Sequence, residues 1–413
     1  MVIKTQVCII GAGPGGCATA MQLARLGIKS VLVDKAIFPR DKICGDALSG
    51  KVMDILNKID PAISDAFEKE NSQIGSWGVK FVAPNGKALR VPFRLNFNKE
   101  QNPPGYICKR IDFDNFLVEQ TNRFPEIQLL QNVDISEHIK TANSWILKDK
   151  TGETEIHTTI LIACNGAHSH FAKEFGSIEM EPAHYSAGIR AYYKGVTNLD
   201  PDNFIELHFI KDFLPGYFWI FPLANGLSNV GVGVASDTVS SKKMNLKKEM
   251  LEIIQNHPEF KERFKNAELV DPIKGYGLPL GSKKRKISGS HFMLVGDAAS
   301  LIDPFTGEGI GNAVISGMLA AKHAKECIDN EQFDENQMAK YDALVYKRLW
   351  SELHLSRKMQ QLINYPFLFN MVVNKANRSQ LLRETISSMF ENIDIRNRLQ
   401  SPSFYFKLLF TNK

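Results

Sequence analysis

The stretch that decides the fold is Val7-Cys8-Ile9-Ile10-Gly11-Ala12-Gly13-Pro14-Gly15-Gly16, close to the start of the chain. Its four consecutive apolar residues predict a β-strand that is buried on both faces. The small residues that follow predict a helix running to about Leu26, where Gly27 ends it. Ser30 to Val33 predicts a second buried strand. A strand, a tight turn, a helix and a strand within about 30 residues predict a Rossmann-like α/β unit.

The glycines of this turn have separate tasks in a dinucleotide site. Gly11 permits the tight turn, Gly13 lets the backbone approach a pyrophosphate, and Gly16 lets the helix pack closely on the strand. The N-terminus of the helix offers free N–H groups to the phosphates, and the acid that ends the second strand would accept hydrogen bonds from a ribose. The motif predicts a dinucleotide without choosing between NAD and FAD. The residues assigned to the cofactor here are Gly11, Gly13, Pro14, Gly15, Gly16 and Asp34.

A second motif, late in the chain, favours FAD. A buried strand is predicted to end at Gly296, so Asp297 would lie at the carboxyl edge of a parallel sheet, where ligands bind. A helix is predicted to begin near Glu308, which would leave the N–H groups of Gly307–Gly311 unpaired and pointing outward. Reduced flavin carries negative charge on its ring, and a helix N-terminus is a suitable partner for that charge.

Composition limits the class of protein. The chain has 413 residues, of which 44% are hydrophobic and 23% charged, so we expect a globular protein of two domains or one domain with an insertion. No apolar run reaches the roughly 18–20 residues of a membrane span. A net charge of +5 is too small to indicate nucleic acid. The six cysteines are scattered, which favours a cytoplasmic protein with reduced thiols and no metal site.

The texture of the sequence predicts a discontinuous FAD-binding domain with an inserted β-sheet substrate domain and a helical C-terminal extension. The inserted parts show short strands, turns and many aromatic residues. The predicted parts are residues 1–78, 105–180 and 281–330 for the FAD-binding domain, residues 79–104 and 181–280 for the substrate domain, and residues 331–413 for the helical region.

With both motifs in place, the chain resembles the FAD-dependent group that includes aromatic hydroxylases, flavin halogenases and geranylgeranyl reductases. The shared features are the glycine-rich turn, the Gly296-Asp297 pair and the Pro-x-x-Gly-x-Gly-Ile stretch. The resemblance implies that Asp297 hydrogen-bonds the ribityl chain, and that Arg110 contacts the phosphate–ribityl side of the cofactor. The residues that would border the flavin ring are Pro304, Gly307, Gly309 and Ile310.

Two further stretches are similar to geranylgeranyl reductases, namely Pro39-Arg40-Asp41-Lys42-Ile43-Cys44-Gly45 and Tyr217-Phe218-Trp219-Ile220-Phe221-Pro222. Halogenases carry Trp-x-Trp-x-Ile-Pro at the second place, and this chain departs from that pattern. The resemblance implies that Arg40 lies near the cofactor phosphates and Cys44 near the flavin, and Gly45 is assigned to the cofactor with Cys44. Arg40 could instead be a surface arginine, but Lys35, Arg40 and Lys42 cluster near the predicted pyrophosphate, so Lys35 is assigned to the cofactor as well. Cys44 is the candidate catalytic residue, with a small buried loop residue as the alternative. The residues expected to line an apolar substrate tunnel are Tyr217, Trp219 and Phe221, which could instead be sheet core.

The expected activity is reduction of carbon–carbon double bonds in a polyprenyl-like apolar or lipid substrate, by hydride from flavin N5. One alternative is a flavin monooxygenase of an apolar or aromatic substrate. A second is an electron-transfer flavoprotein that acts with a protein partner. Asn165 stands where family members often have an acid, so the electron donor stays open between NAD(P)H and a reduced protein carrier. No general acid is assignable from the sequence.

The C-terminal region contains an apolar stretch, 365–373, near basic residues, followed by Phe404, Tyr405 and Phe410. Such a segment suits a peripheral contact at the inner face of a membrane. It equally suits a helix packed on the flavin domain or on another subunit.

Overall fold

The computed structural model describes residues 1–94 and 101–387. Its strands are β1 (Val2–Ile10), β2 (Ser30–Val33), β3 (Ala47–Leu48), β4 (Gln73–Ser76), β5 (Gly78–Val82), β6 (Ala88–Pro92), β7 (Gly105–Cys108), β8 (Ile127–Leu130), β9 (Ile135–Lys140), β10 (Trp145–Asp149), β11 (Glu155–Ala163), β12 (Tyr185–Lys194), β13 (Ile205–His208), β14 (Tyr217–Pro222), β15 (Leu227–Ala235), β16 (Glu268–Leu269), β17 (Lys274–Pro279), β18 (Ser288–Gly289) and β19 (Phe292–Leu294).

The helices follow the same chain order, and a short 3₁₀ turn covers Gly296–Ala299. They are α1 (Pro14–Arg25), α2 (Gly50–Ile59), α3 (Pro61–Glu68), α4 (Arg110–Thr121), α5 (His170–Glu174), α6 (Ser236–Ser241), α7 (Leu246–Asn256), α8 (Pro258–Arg263), α9 (Ile310–Asp329), α10 (Glu335–Leu362), α11 (Pro366–Ala376) and α12 (Gln380–Ser387).

The first sheet is the Rossmann-like layer that the glycine-rich turn predicts. Its strands lie in the order β18-β19-β11-β1-β2-β8, and the neighbours from β19 to β8 are parallel. The adjoining strands β9 and β10 are antiparallel. Because β1 and β11 are buried on both faces at their carboxyl ends, both read as continuous apolar runs. The carboxyl ends of β1 and β11 meet at one edge of the sheet, together with the loop that follows β19.

The second sheet is the inserted β-sheet that the aromatic middle of the chain predicts. Its strands lie in the order β16-β12-β15-β14-β13-β5-β6, with β17 also paired to β12. All pairs are antiparallel except β13 with β5. One face packs against α7 and α8, and the other face holds a second apolar cluster that includes Phe305 and residues of α11. A third, small sheet has the strand order β3-β7-β4.

The C-terminal region is helical, as expected, over its described part. Helix α10 packs along α9, and the buried Tyr341 hydroxyl donates to the Leu294 carbonyl at 2.8 Å. Helix α11 packs against β6 and buries Phe369 and Val373 in the apolar cluster of the second sheet. In residues 1–94 and 101–387, no helix combines the length and apolar character needed to cross a bilayer. Phe404, Tyr405 and Phe410 lie outside the described residues.

Candidate active site

The glycine-rich turn adopts a backbone that larger residues would disrupt. Gly11 has φ +99°, where L side chains are strained. A Cβ atom at Gly16 would lie 1.8 Å from the Gly11 carbonyl oxygen, so this position requires glycine for the helix to pack on the turn. Helix α1 has no side-chain cap on Gly13 and no acidic residue in its first turn. Its free N–H groups therefore suit an anionic ligand such as a pyrophosphate.

Asp34 fixes the shape of this turn. Its Oδ2 accepts a hydrogen bond from the Ala12 amide at 2.7 Å, and its Oδ1 accepts one from the Ala36 amide at 2.8 Å. The first bond ties the end of β1 to the end of β2, and the second shapes the loop after β2, so a ribose must share these oxygens. The expected ribose contact of Asp34 stays a prediction. Lys35 is exposed beside the turn.

Arg40 and Arg110 meet on one buried carboxylate. Arg110 makes two hydrogen bonds to Asp114, at 2.6 and 2.7 Å, and Arg40 makes a third at 2.5 Å. Burial alone would raise the pKa of Asp114, but the two guanidinium groups outweigh it and lower the pKa. A terminal nitrogen of Arg40 lies 3.6 Å from the place where a Gly13 Cβ would stand. The arginine is therefore oriented beside the predicted phosphate site.

The late motif meets the stretch Pro39–Gly45 at Asp297. Its Oδ2 accepts a hydrogen bond from Lys42 Nζ at 2.9 Å, across 255 residues of sequence. Burial lowers the pKa of Lys42, but the negative charge of Asp297 outweighs it and the net shift is upward. A ligand hydroxyl at Asp297 would thus meet a carboxylate that already has a cationic partner.

The loop before α9 differs from the expectation in one respect. Helix α9 begins at Ile310, later than Glu308, and the amides predicted to be unpaired are in part satisfied. The Gly307 amide donates to the Asp303 carbonyl at 3.1 Å, and the Gly311 amide donates to Glu308 Oε1 at 2.5 Å. The Glu308 amide donates to Thr306 Oγ1 at 3.2 Å. The prediction that these N–H groups are free is therefore wrong for Gly307, Glu308 and Gly311. The physical reason is that the loop forms its own turn and the Glu308 side chain caps the helix.

A cleft of about 1180 Å³, counted with its open mouth, runs between the two sheets beside these loops. It brings together eleven of the predicted site residues: Pro14, Cys44, Gly45, Arg110, Tyr217, Trp219, Phe221, Asp297, Gly307, Gly309 and Ile310. The other predicted residues form the turns around it or lie outside its lining. They are Gly11, Gly13, Gly15, Gly16, Asp34, Lys35, Arg40, Gly296 and Pro304.

The three predicted aromatic residues are both sheet core and cleft wall. Trp219 and Phe221 are 8% and 7% exposed, and they line the cleft with Tyr217. Trp219 Nε1 donates to Asn229 Oδ1 at 2.9 Å, and the Tyr217 hydroxyl donates to the Thr306 carbonyl at 3.3 Å. The Tyr217 bond orients its ring toward the loop that precedes α9, and the Trp219 bond ties its ring to Asn229 on β15. Further apolar lining comes from Phe93, Ile205, Leu207 and Leu278.

Cys44 lies in the cleft lining as expected. Burial raises the pKa of its thiol, and this effect outweighs the opposing charge of Arg110. The sulfur is therefore a neutral thiol at neutral pH, which favours a packing or hydrogen-bonding contact over nucleophilic chemistry. Its assignment as a catalytic residue stays a prediction.

Two acidic residues in the cleft escaped the sequence reasoning. Asp46 is fully buried, and its Oδ2 accepts hydrogen bonds from the Tyr192 hydroxyl at 2.7 Å and from Asn229 Nδ2 at 2.8 Å. Glu308 lies beside the buried Lys51–Glu352 ion pair, and burial raises its pKa. The available signal for Asp46 was its place directly after the Cys44-Gly45 pair. Nothing in the local pattern indicated that its partners come from β12 and β15.

The donor set fits FAD. The uncapped end of α1 can receive the pyrophosphate, and Arg40 and Arg110 lie on the same side. The side-chain oxygen of Asn165 is buried without a hydrogen-bond partner in the described part of the chain. Its Cα stands 2.9 Å from the place where a Gly11 Cβ would be, so it adjoins the glycine-rich turn. An unpaired acceptor at this place suits a hydroxyl or amine donor of a bound dinucleotide.

Comparison with known proteins agrees with this geometry. Residues 4–329 match a family described as an FAD binding domain. A digeranylgeranylglycerophospholipid reductase of Thermoplasma volcanium is 30% identical over 347 residues, which cover 83% of each chain. The chain belongs to the FAD-binding-domain family and is geranylgeranyl reductase-like. A menaquinone reductase of Mycobacterium tuberculosis is 26% identical over 374 residues, covering 88% of this chain and 85% of that protein. This geranylgeranyl reductase-like chain is thus an FAD-dependent oxidoreductase.

Solved structures share its fold. A geranylgeranyl bacteriochlorophyll reductase-like protein from Thermoplasma acidophilum superposes with a TM-score of 0.79 at 23% identity, over 96% of this chain and 99% of that one. The flavin-dependent brominase Bmp2 gives a TM-score of 0.76 at 18% identity, over 94% of each chain. At these identities the likeness defines the geranylgeranyl reductase-like fold and leaves the substrate to the chemistry of the cleft.

Proposed function

We propose that this FAD-dependent oxidoreductase reduces carbon–carbon double bonds of a polyprenyl-like apolar substrate. The observation that carries the proposal is the junction inside the cleft. There the loop Gly307–Ile310 and the residues around Cys44 face an aromatic and aliphatic wall from the second sheet. Bound FAD, once reduced, supplies hydride at the ring. The protein supplies a dry apolar surface and fixes the chain beside that ring.

The charges of the cleft support this division of labour. Each of the three cationic lining residues is paired with a carboxylate: Lys42 with Asp297, Arg110 with Asp114, and Arg190 with Asp41 and Asp271. The other two acidic lining residues, Asp46 and Glu308, accept hydrogen bonds from neighbouring protein groups. The remaining lining is mostly aromatic and aliphatic. Because an apolar chain gains about 25 cal/mol for each Å² removed from water, such a wall favours hydrocarbon over a polar substrate.

The named activities of the relatives support the same class of substrate. One relative is named for a digeranylgeranyl glycerophospholipid and another for menaquinone. Both names describe reduction of a lipid or a quinone. We therefore propose a lipid or quinone that carries unsaturated prenyl units as the substrate class, and we leave the electron donor open between NAD(P)H and a reduced protein carrier.

The test uses the FAD-loaded protein, reduced by dithionite without oxygen and mixed with a geranylgeranyl phospholipid in detergent. We expect mass spectrometry to show products that have gained two hydrogens for each reduced bond. An oxygenated product that forms only in air with NAD(P)H would instead establish the monooxygenase. Unchanged lipid together with rapid electron transfer to a protein acceptor would establish the electron-transfer flavoprotein.

A peripheral membrane contact is part of the same proposal. Tyr365, which directly precedes α11, is 62% exposed, and Phe367 in the first turn of the helix is 77% exposed, whereas Phe369 is buried against Phe209 and Phe305. Residues 353–383 contain five Lys or Arg and no Asp or Glu. An exposed aromatic face in a basic segment suits the head groups of anionic lipids.

Vesicle sedimentation tests this contact. We expect the protein to bind vesicles that contain anionic phosphatidylglycerol and to bind neutral phosphatidylcholine vesicles more weakly. Phe367→Ser should reduce the bound fraction. Met180→Ser is the matched control, because Met180 is 72% exposed and lies far from α11 in the chain. Equal loss in both variants, or no binding at all, would contradict the membrane contact.

A further inference from the structure

We propose that Asp46 is the acid that delivers the proton in double-bond reduction, with Asn229 and Tyr192 as its positioning residues. The proposal deepens the proposed function and rests on it. Reduction of an unpolarised alkene needs a proton at one carbon as well as hydride at the other. Sequence reasoning assigned no residue to this proton.

Asp46 is a buried residue at the wall of the cleft. It is 0% exposed, yet it lines the cleft next to Cys44 and Gly45. Its backbone has φ +70°, in the left-handed region that non-glycine residues rarely occupy. A buried carboxyl group held in that conformation at the cleft wall is costly unless surrounding contacts fix it, and such positions concentrate at functional sites.

The two carboxyl oxygens of Asp46 differ in the hydrogen bonds that they accept. Oδ2 accepts from Tyr192 at 2.7 Å and from Asn229 at 2.8 Å. Among the described residues, the one donor to Oδ1 is the Arg110 amide, at a longer 3.2 Å. Oδ1 is therefore the oxygen that can hold a proton. Asn229 also donates to the Cys44 carbonyl at 2.7 Å and accepts from Trp219, so one side chain ties the acid to the substrate wall.

Among the titratable groups that face Asp46, Asp46 is the one whose pKa lies near neutral pH, so it is the one that can exchange a proton there. Burial raises the pKa of Asp46 to about 6, against the opposing hydrogen bonds from Asn229 and Tyr192. Burial also raises the pKa of the Tyr192 hydroxyl and of the Cys44 thiol, so both stay protonated. The Cys108 thiol, with a pKa raised by burial to about 12, stays protonated as well. Arg110 and Arg190 stay charged on their carboxylate partners.

The step balances without a further reactant. The π bond of the alkene breaks, and one carbon accepts hydride with its electron pair from the reduced cofactor. The other carbon accepts the proton from Asp46 Oδ1, so two C–H bonds form while the alkene is reduced and the cofactor is oxidised. The Asp46 carboxylate then takes a proton from water. Between steps, the Tyr192 and Asn229 donors stabilise its negative charge.

Infrared spectroscopy of the FAD-loaded protein tests the proton itself without substrate. We expect a protonated-carboxyl band that disappears as the pH rises through about 6, shifts on ¹³C-aspartate labelling, and is absent in Asp46→Asn. Asp41→Asn is the matched control, since Asp41 is on the same loop, pairs with Arg190 and is 32% exposed. The proposal is overturned if the band is absent from labelled wild-type protein, an outcome that does not depend on how well the variant folds. It is also overturned if the band survives in Asp46→Asn.

Single-turnover oxidation of the anaerobically reduced protein by a prenyl lipid tests the use of that proton. We expect Asp46→Asn to slow the step by roughly 10²–10⁴-fold, the usual contribution of a general acid, and to abolish the fall in rate above pH about 6. Asp46→Glu should restore part of both, and Asp41→Asn should match the wild type. Equal rates in Asp46→Asn overturn the proposal. Wild-type protein that never reduces the lipid refutes the proposed function, while the infrared result still decides whether Asp46 holds a proton.

Discussion

The replacement Asp46→Asn should make the protein progressively more stable relative to the wild type as the pH rises through about 6. The pKa of Asp46 rises from 3.8 to about 6 on folding because burial disfavours its charge. The folded state therefore binds this proton more tightly than the unfolded state. Its contribution to stability is full below pH about 4 and is lost as the pH rises to about 6. A shift of about two pKa units corresponds to about 3 kcal/mol.

The assay compares melting temperatures of FAD-saturated wild type and Asp46→Asn between about pH 4.5 and 7.5, a range that brackets the raised pKa. For a chain of 413 residues, about 3 kcal/mol corresponds to about 3–4 °C if the chain melts cooperatively. The amide introduced by this replacement would also face the Arg110 N–H, which lowers the stability of the variant by an amount that does not depend on pH. The informative quantity is therefore how the difference in melting temperature between variant and wild type changes with pH. We expect the variant to gain on the wild type as pH rises. A difference that stays flat would refute the assignment of a buried, titrating carboxyl group.

Three further predictions concern other parts of the protein. In Gly13→Ala the new Cβ would have no neighbour closer than 3.6 Å, so the melting temperature without FAD should not change. The affinity for FAD should fall roughly tenfold in a fluorescence titration, because the methyl group would stand where the pyrophosphate approaches the backbone. An unaltered affinity would exclude that close approach. Leu207→Trp should fill the apolar part of the cleft, so it should slow the reduction of long prenyl chains without changing the FAD content of the protein. An undiminished rate would show that Leu207 does not contact the substrate. Glu206→Gln should cost about 3–5 kcal/mol at pH 7, because Arg263 would lose its buried charge partner and keep the more exposed Glu259. Acid should weaken the wild type as the pH falls from 4.5 toward 2, because hydrogen bonds from His208 and Arg263 outweigh burial and lower the pKa of Glu206 to about 2; urea unfolding at several pH values measures both effects.

The sequence predicted the elements whose signal is local. The glycine-rich turn lies between β1 and α1 because an apolar run, glycines and small residues follow one another in the chain. Helix α1 ends at Arg25, one residue before the predicted end, with Gly27 at φ +75°. The aromatic strand β14 reaches the cleft because its alternating residues face one side of a sheet.

The parts that escaped prediction depend on contacts between distant segments. Lys42 meets Asp297 across 255 residues, and Asp46 meets Tyr192 across 146. Periodicity cannot report such pairs, since each partner reads locally as an ordinary polar loop or strand residue. The amides of Gly307 and Gly311 were mispredicted for a local reason: the loop forms its own turn, in which the Gly307 amide donates to the Asp303 carbonyl, and the Glu308 side chain accepts from the Gly311 amide.

The central claim is that reduced FAD in this cleft transfers hydride to the double bonds of an apolar chain. The most direct measurement is the visible absorption of the photoreduced, FAD-loaded protein in an anaerobic stopped-flow instrument. On mixing with a geranylgeranyl lipid, we predict return of the oxidised flavin spectrum with one flavin reoxidised per bond reduced, and no change with the fully saturated lipid. A flavin that stays reduced with both lipids, but reoxidises when air is admitted, would contradict the claim.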